Sequence, residues 1–356
     1  MNKWILISAS LLPMFFIGCT EHSLGGDSLP KEDVLINFSA GNYVGYDIDV
    51  TPCEANEMEA GATRAAETYI STGIVAVPVT EYDEDVDCLH GLTEDSFCLN
   101  LKNAEYAGMH PGVMTPVDGL LRTFPIEEGS AIAAYAYYPY RKDTLVVGDT
   151  TCYVNLDLIK EFMRQDYCYT GKVFKKKKDV IEGDGNIKLK YYHAFAEVEV
   201  KFNVNSNEYI LIDTLLMGVS NNGVGRLDLK NGNFYPDDNN GKNVSFDINE
   251  IRNTINGRKF SASTILYIPP AVKLKNVKVV YRRLNKLNGK TFTRVYTFER
   301  EPQYQMGKTG YIIDITLNVP KTDVPEFGFT DEEADDNFSV LTSEKRGDWG
   351  NLMNAE

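Results

Sequence analysis

Alternation of apolar and polar residues constrains the fold of this 356-residue chain more than any other feature. Tyr311–Val319 alternates without a break, and residues 187–204 do so over a longer stretch. In that longer stretch one face collects Tyr192, Ala194, Ala196, Val198, Val200, Phe202 and Val204. A period of two is typical of a β-strand with one buried face, so both segments are predicted to be strands.

Short strands of the same kind recur along most of the chain, separated by Asn-Gly, Pro-Pro and Gly-Lys turn sequences. Helical periodicity is rare, and residues 151–164 (TCYVNLDLIKEFMR) are the best helix candidate. This pattern predicts an all-β protein of the sandwich type, long enough for two domains. The charged, Gly-containing stretch 175–186 is the predicted boundary. We therefore expect one β-sandwich over residues 34–180 and a second over residues 185–320.

The N-terminal residues 1–19 predict a lipoprotein signal peptide. Residues 4–17 are almost all apolar, and Gly18 and Cys19 follow directly. A run of about 14 apolar residues is shorter than the ~20 that a membrane-spanning helix needs, and a small residue before the cut fits a processed signal. Cys19 is therefore predicted to carry lipid such as palmitate, with the polar residues 20–33 as a tether between membrane and domain.

The charge of the chain argues against nucleic acid as a partner. Its net charge of −15 repels phosphate. Residues 321–356 hold ten acidic and three basic residues, nearly half of that net charge. We expect this acidic tail to be largely a solvated extension, with one short strand possible at residues 336–343.

Five cysteines remain beside Cys19, an odd number that cannot pair completely within one chain. In an oxidising envelope, Cys88–Cys98 and Cys152–Cys168 are plausible disulfides, and buried free thiols are the alternative. The sequence does not fix the connectivity, and it contains no CxxC pair. The five are Cys53, Cys88, Cys98, Cys152 and Cys168.

The sequence offers no enzyme active site. It lacks HExxH and GxSxG, and Gly307-Lys308-Thr309 lacks the first glycine of a phosphate-binding loop. The acidic residues between 83 and 87 lack the glycine and closing glutamate of a calcium loop. His193 is predicted to be a hydrogen-bonded structural histidine. We expect a binding or structural protein without catalytic residues, metal or cofactor.

Several segments, taken in order, resemble the fimbrillin family, the lipoprotein-derived (type V) pilus subunits of Bacteroidetes. They begin with the Cys19 lipobox, the strand VLINFSA (34–40) and the sequence ATRAAE around Arg64. They continue with AAYAYYPY (133–140), YYHAFAEVEVKF (191–202), ILYIPPA (265–271) and MGKTGYIIDITLNV (306–319). The resemblance implies two tandem transthyretin-like β-sandwich domains in a fimbrial stalk, tip or anchor subunit at the outer membrane surface.

The resemblance also implies a mechanism of assembly by β-strand addition. A cut between Arg64 and Ala65 would remove the lipid together with the first strand, and a strand of another subunit would fill the groove. The displaced strand would carry Val34, Ile36 and Phe38. The candidate donor strand in the acidic tail would carry Phe338, Val340 and Leu341.

Two other functions stay open from the sequence. An anchor or tip subunit would not polymerise, and an anchor would keep its lipid and its first strand. A surface lipoprotein that binds host or bacterial glycans is the other alternative, since the chain holds 21 tyrosines and two tryptophans. The sequence does not distinguish stalk, tip and anchor roles, nor does it identify an adhesion ligand.

Overall fold

The structure is a computed structural model that describes residues 34–40, 68–85, 101–110, 112–125, 129–147, 152–160, 163–183, 185–206, 209–221, 223–238, 241–245, 259–283, 291–308, 310–319 and 337–344. The described chain is almost all β, so the predicted all-β class is confirmed. Its first strands are β1 (Asn37–Ala40), β2 (Thr68–Thr80), β3 (Ala104–His110), β4 (Gly112–Pro116), β5 (Ser130–Tyr138), β6 (Leu145–Val147), β7 (Cys152–Asp157), β8 (Cys168–Tyr169) and β9 (Val173–Lys176).

A short helix, α1 (Lys177–Glu182), precedes the remaining strands. These are β10 (Asn186–Leu189), β11 (Tyr192–His193), β12 (Ala196–Ser206), β13 (Ile210–Val219), β14 (Val224–Asp228), β15 (Phe234–Pro236), β16 (Lys242–Ser245), β17 (Lys259–Ile268), β18 (Leu274–Arg283), β19 (Thr291–Thr297), β20 (Tyr311–Val319) and β21 (Asn337–Glu344). Among the described residues, no helix is long and apolar enough to cross a membrane.

The first sheet combines nine described strands in the order β10-β1-β4-β3-β2-β5-β8-β11, with β9 also paired to β5. Its central strands are buried on both faces, and nearly all of β5 is inaccessible to solvent. Ile132, Ala134 and Ala136 contribute to a core on one face, together with Ile36 and Phe38. Ala133, Tyr135 and Tyr137 contribute to a second core on the other face. Burial on both faces explains why β5 reads as a continuous apolar run.

Two four-stranded sheets make up the C-terminal part, in the orders β17-β12-β20-β21 and β16-β13-β18-β19. Strands β12 and β20 run parallel, with Val200 opposite Ile313, and both bury every second residue. Val200 and Ile313 share one buried cluster with Ile212 of β13 and Val279 of β18. The two sheets therefore pack face to face as a β-sandwich.

A small sheet joins strands from distant parts of the sequence, in the order β15-β14-β7-β6. Leu227 of β14 is the antiparallel partner of Val154 of β7. Both side chains are fully buried and belong to the core that also contains Tyr135 of the first sheet. Residues of the predicted second domain thus complete the packing of the first.

The predicted boundary at residues 175–186 does not separate the strands of the first sheet from those that follow. β10 and β11 follow that stretch, yet both belong to the first sheet. The lysine-rich stretch forms edge strand β9 and helix α1, whose lysines are half-buried or exposed. This composition resembles that of a linker. The change from the first sheet to the C-terminal sandwich falls between β11 and β12. The independence of the two parts as sandwich domains, spanning 34–180 and 185–320, stays a prediction.

Two local expectations were also wrong. The helix expected at residues 151–164 is replaced by β7, because alternating burial of Cys152, Val154 and Leu156 suits a strand between β6 and β14. The alternation over residues 187–204 is interrupted before β12, so Tyr192 does not share the buried face of Val198. A strand is present in the acidic tail as expected, since β21 pairs antiparallel with β20. Residues 1–33 lie outside the described part, including the predicted signal peptide and tether.

Candidate functional site

The first described strand occupies a slot between two others, and this slot is the candidate assembly site. β1 pairs in parallel with β10, where Phe38 lies opposite Ile187. It pairs antiparallel with β4, where Phe38 lies opposite Met114. β1 is therefore an internal strand of the sheet. Both rows of its backbone hydrogen-bonding groups face protein.

The segment just before β1 is also held by backbone hydrogen bonds. The Ile36 amide donates to the Arg122 carbonyl at 2.7 Å, and the Phe124 amide donates to the Val34 carbonyl at 2.9 Å. Leu35 forms an isolated antiparallel bridge with Thr123. Residues 34–40 are thus bound along their whole length.

Alternation along this segment separates a buried face from an exposed one, as predicted. Ile36, Phe38 and Ala40 are buried in the core, and Val34 packs against the same cluster. The Leu35 side chain on the opposite face is 39% exposed. Phe38 is fully buried and its ring meets that of Tyr106 edge to face, with 5.2 Å between centroids. Phe38 is thus the apolar centre of the slot.

A buried arginine packs over the Tyr106 ring. The Arg122 guanidinium lies 5.4 Å from the Tyr106 ring centroid and donates two hydrogen bonds to the Asp118 carboxylate, at 3.1 and 2.5 Å. These bonds lower the pKa of Asp118. Burial raises the pKa of the Tyr106 phenol. The arginine charge is therefore compensated by Asp118 where it packs against Tyr106.

The predicted processing residues fall outside the described residues: Cys19, Arg64 and Ala65. Their positions in the sequence still define how β1 is attached. After Ala40 the next described residue is Thr68, so Arg64 lies in the stretch that connects β1 to β2. A cut at Arg64 would leave β1 bound only by hydrogen bonds and packing. Whether Arg64 is processed stays a prediction.

The candidate donor residues lie in β21, an edge strand of the C-terminal sandwich. Val340 lies opposite Ile315 and is buried, whereas Leu341 lies opposite Asp314 and is 69% exposed. Phe338 lies opposite Leu317. In this conformation β21 pairs within its own chain, and β1 and β21 belong to different sheets. The donor role stays a prediction. Leu341 lies on the exposed face of β21, opposite to the buried face that contains Val340.

The predicted Cys152–Cys168 disulfide is wrong, because both residues are buried free cysteines. Cys152 belongs to the core shared with the C-terminal sandwich, and Cys168 belongs to the core of the first sheet. Their strands, β7 and β8, also lie in different sheets. Burial raises the pKa of both thiols, that of Cys152 to about 12. Cys53, Cys88 and Cys98 lie outside the described residues.

A second cluster was missed by the sequence analysis. Asp166, Cys168 and His193 are all buried, and the His193 Nδ1 atom lies 2.6 Å from the Asp166 Oδ2 atom. The Cys168 Sγ atom lies 3.5 Å from His193 Nδ1 and 3.7 Å from Asp166 Oδ2. His193 is therefore a buried, hydrogen-bonded residue, as predicted. A Cys–His–Asp relay would place Cys and Asp on opposite ring nitrogens, and here both meet Nδ1.

The aromatic residues that suggested glycan binding are distributed over separate elements. Tyr69 lies in β2, Tyr82 in the turn after it, Tyr209 just before β13 and Tyr235 in β15, and all four are exposed. A glycan-binding platform needs several rings on one surface, so this function stays a prediction.

The described residues define a class of protein: an all-β fold whose first described strand is inserted into a sheet, with Arg64 in the sequence between that strand and the next. Residues 63–330 match the family model described as fimbrillin-like, so the chain belongs to the fimbrillin-like family. The match begins just before Arg64 and ends within the acidic tail.

The solved structures that match this chain include proteins of Bacteroides and Porphyromonas species. A candidate cell adhesion protein of Bacteroides uniformis is 16% identical, with a TM-score of 0.47, and the alignment covers 88% of this chain and 98% of that one. A fimbrial protein of Bacteroides vulgatus is 11% identical, with a TM-score of 0.47 and coverage of 87% and 99%. The fimbrial anchor protein Mfa2 of Porphyromonas gingivalis is 10% identical, with a TM-score of 0.34 and coverage of 88% and 97%. No curated protein matches this chain in sequence.

Proposed function

We propose that this protein is a fimbrial subunit that assembles on the outer cell surface by β-strand addition and contributes to adhesion. It is made as a precursor lipidated at Cys19, and cleavage after Arg64 releases it from the membrane. Its partners are other pilus subunits of the same family. It needs no cofactor and catalyses no reaction. Membership of the fimbrillin-like family supports the fimbrial role.

The observation that carries this proposal is the position of β1 in its slot. β1 has strand partners on both sides, and its buried face comprises Ile36, Phe38 and Ala40. Loss of β1 would expose these apolar contacts, worth about 1.5–3 kcal/mol for each large side chain. It would also leave unpaired backbone groups on β4 and β10, which form a template for another strand.

A single proteolytic cut would both remove the lipid anchor and open the slot. Cys19 and β1 both precede Arg64 in the sequence, whereas β2 follows it. One cut at Arg64 therefore separates both from the remaining sheet. The candidate donor is β21, whose Val340 side chain already packs on an apolar face.

The test is to treat the purified precursor with an arginine-specific protease and to follow its mass and oligomeric state. We expect Arg64-cleaved wild type to form oligomers that resist mild detergent. Arg64→Lys keeps the positive charge but removes the cleavage site, so this variant should remain monomeric. Deletion of residues 336–356 should permit cleavage but prevent oligomer formation.

Other outcomes distinguish the alternatives. A wild-type protein that is fully cleaved at Arg64 and remains monomeric contradicts polymerisation. A native protein that keeps both its acyl mass and residues 34–40 is a non-polymerising anchor. Cys19→Ser should move the protein from the membrane fraction to the soluble fraction, and a variant that stays with the membrane contradicts the lipid anchor.

A further inference from the structure

We propose that Asp166, Cys168 and His193 form a binding site for a zinc-class divalent cation. The site lies in the first sheet, at the paired strands β8 and β11 and the loop before β8. The observations that carry this site and its test do not depend on the fimbrial function proposed above.

Strand pairing brings the three side chains together. Cys168 in β8 and His193 in β11 are directly opposite each other in an antiparallel pair. Residues opposite each other across two strands project to the same face of the sheet. Asp166 precedes Cys168 by two residues, and its carboxylate reaches both of the other side chains. All three are buried and together offer one oxygen, one sulfur and one nitrogen ligand atom within 4.8 Å of one another.

The distances fit a metal ion at a common centre. The triangle of ligand atoms has edges of 2.6, 3.5 and 3.7 Å. A circle through its corners has a radius of about 1.9 Å, close to zinc–nitrogen and zinc–oxygen distances of ~2.0–2.2 Å and a zinc–sulfur distance of ~2.3 Å. Tetrahedral zinc would give edges of about 3.5 Å from sulfur to nitrogen and about 3.6 Å from sulfur to oxygen. The nitrogen–oxygen edge must widen by roughly 0.8 Å, as a proton between the two atoms is replaced by the metal.

The charges of the ligands also fit a divalent cation. Metal binding converts the Cys168 thiol to a thiolate and releases its proton. The proton between His193 Nδ1 and Asp166 Oδ2 moves to His193 Nε2, so the ring binds in its neutral form through Nδ1. The thiolate and the Asp166 carboxylate then balance the two positive charges of the ion. A neutral complex suits a site where each side chain is largely inaccessible to solvent, because an uncompensated charge there is costly.

The ligand types favour zinc over other divalent ions. Thiolate and imidazole ligands suit zinc, whereas magnesium and calcium prefer oxygen ligands alone. Three protein ligands leave a fourth tetrahedral position for a water molecule. The depth of the site excludes a substrate of appreciable size, so the ion acts structurally, as a cross-link between β8, β11 and the loop before β8.

The test is zinc binding, measured by calorimetry and by the absorption of a cobalt-substituted sample. The sample is the chain after removal of the signal peptide and without cleavage at Arg64, reduced and free of metal. We expect one equivalent of zinc and, with cobalt, a thiolate-to-metal charge-transfer band. Removal of an outer-shell hydrogen-bond partner weakens metal sites about 10- to 100-fold. Loss of a direct ligand in Cys168→Ser, His193→Gln or Asp166→Asn should therefore weaken binding about 100-fold or more.

Cys152→Ala is the matched control, because Cys152 is the other buried free thiol of the described chain and lies outside the cluster. This variant should bind zinc and cobalt like wild type. Circular dichroism identifies which ligand variants are folded, and any one folded variant decides the question. Stoichiometric binding lost in that variant supports the site. A wild-type chain that binds no zinc, or a folded ligand variant that binds like wild type, overturns the proposal.

Discussion

Replacement of Phe38 by alanine tests whether apolar packing holds β1 in its slot. Removal of a buried phenylalanine side chain costs about 3–5 kcal/mol, because transfer and cavity terms add. Phe38 is fully buried, and its edge-to-face contact with Tyr106 supplies about 0.5–1.5 kcal/mol of that amount. Two flanking strands limit collapse of the cavity, so we expect about 4 kcal/mol. Typical domains have a stability of about 5–15 kcal/mol, which makes this a large fraction.

The measurement is unfolding in guanidinium chloride, followed by circular dichroism and tyrosine fluorescence. Leu35→Ala is the matched control, since Leu35 lies in the same segment with its side chain on the exposed face. Exposed substitutions usually change stability by less than about 0.5 kcal/mol. Phe38→Ala should shift the first unfolding transition to lower denaturant, whereas Leu35→Ala should leave that transition close to wild type.

Cleavage at Arg64 adds a second readout to the same pair of variants. In the cleaved protein β1 is held without a covalent link, so weaker packing should accelerate its release. Phe38→Ala should therefore lose the N-terminal fragment faster than Leu35→Ala during gel filtration. Equal stabilities and equal release rates for the two variants would refute apolar retention of β1 and leave backbone pairing as its only restraint.

Further predictions concern β21 and the buried tyrosines. Val340→Asp should detach β21 from β20 and expose it to proteases, because the variant would bury an unpaired carboxylate. Leu341→Asp places the carboxylate at an exposed position, so this variant should resist proteolysis like wild type. Burial raises the pKa of Tyr137 to about 12, above its ordinary value of 10.0. The contribution of the protonated Tyr137 phenol to stability is therefore complete below pH 10 and is lost as the pH rises from about 10 to about 12. Alkaline unfolding followed by ultraviolet absorbance of tyrosinate should therefore have a smaller pH-dependent component in Tyr137→Phe, and an identical profile would contradict this assignment.

Local patterns predicted the strands with one buried face. Tyr311–Val319 buries every second residue as its sequence indicates. Residues 34–40 also follow their alternation, so the apolar face of β1 was visible before the structure. Strands of this kind can be predicted from the sequence because burial of one face requires an apolar residue at every second position.

Pairing between distant strands was not visible in the same way. The parallel neighbour of β1, strand β10, follows it by nearly 150 residues, and β7 pairs with β14 of the other half. A run of lysines is typical of a linker, but it also suits an edge strand and a short helix at the protein surface. The lysines therefore did not show that β9 pairs with β5 in the first sheet. Cys168 and His193 meet only because β8 pairs with β11, and no short motif encodes that register.

The two proposed sites act on the same short stretch of chain, from β10 to β11. In the described part of the structure β1 is the only strand paired with β10, so β10 loses its strand partner when β1 departs. His193 at the end of the stretch would remain fixed through the metal to Asp166 and Cys168. Tyr191 adds a further restraint through a 2.7 Å hydrogen bond between its hydroxyl and that of Thr72 in β2. A metal at His193 would therefore keep the wall of the slot in place while the slot is empty, which favours addition of a new strand over local unfolding.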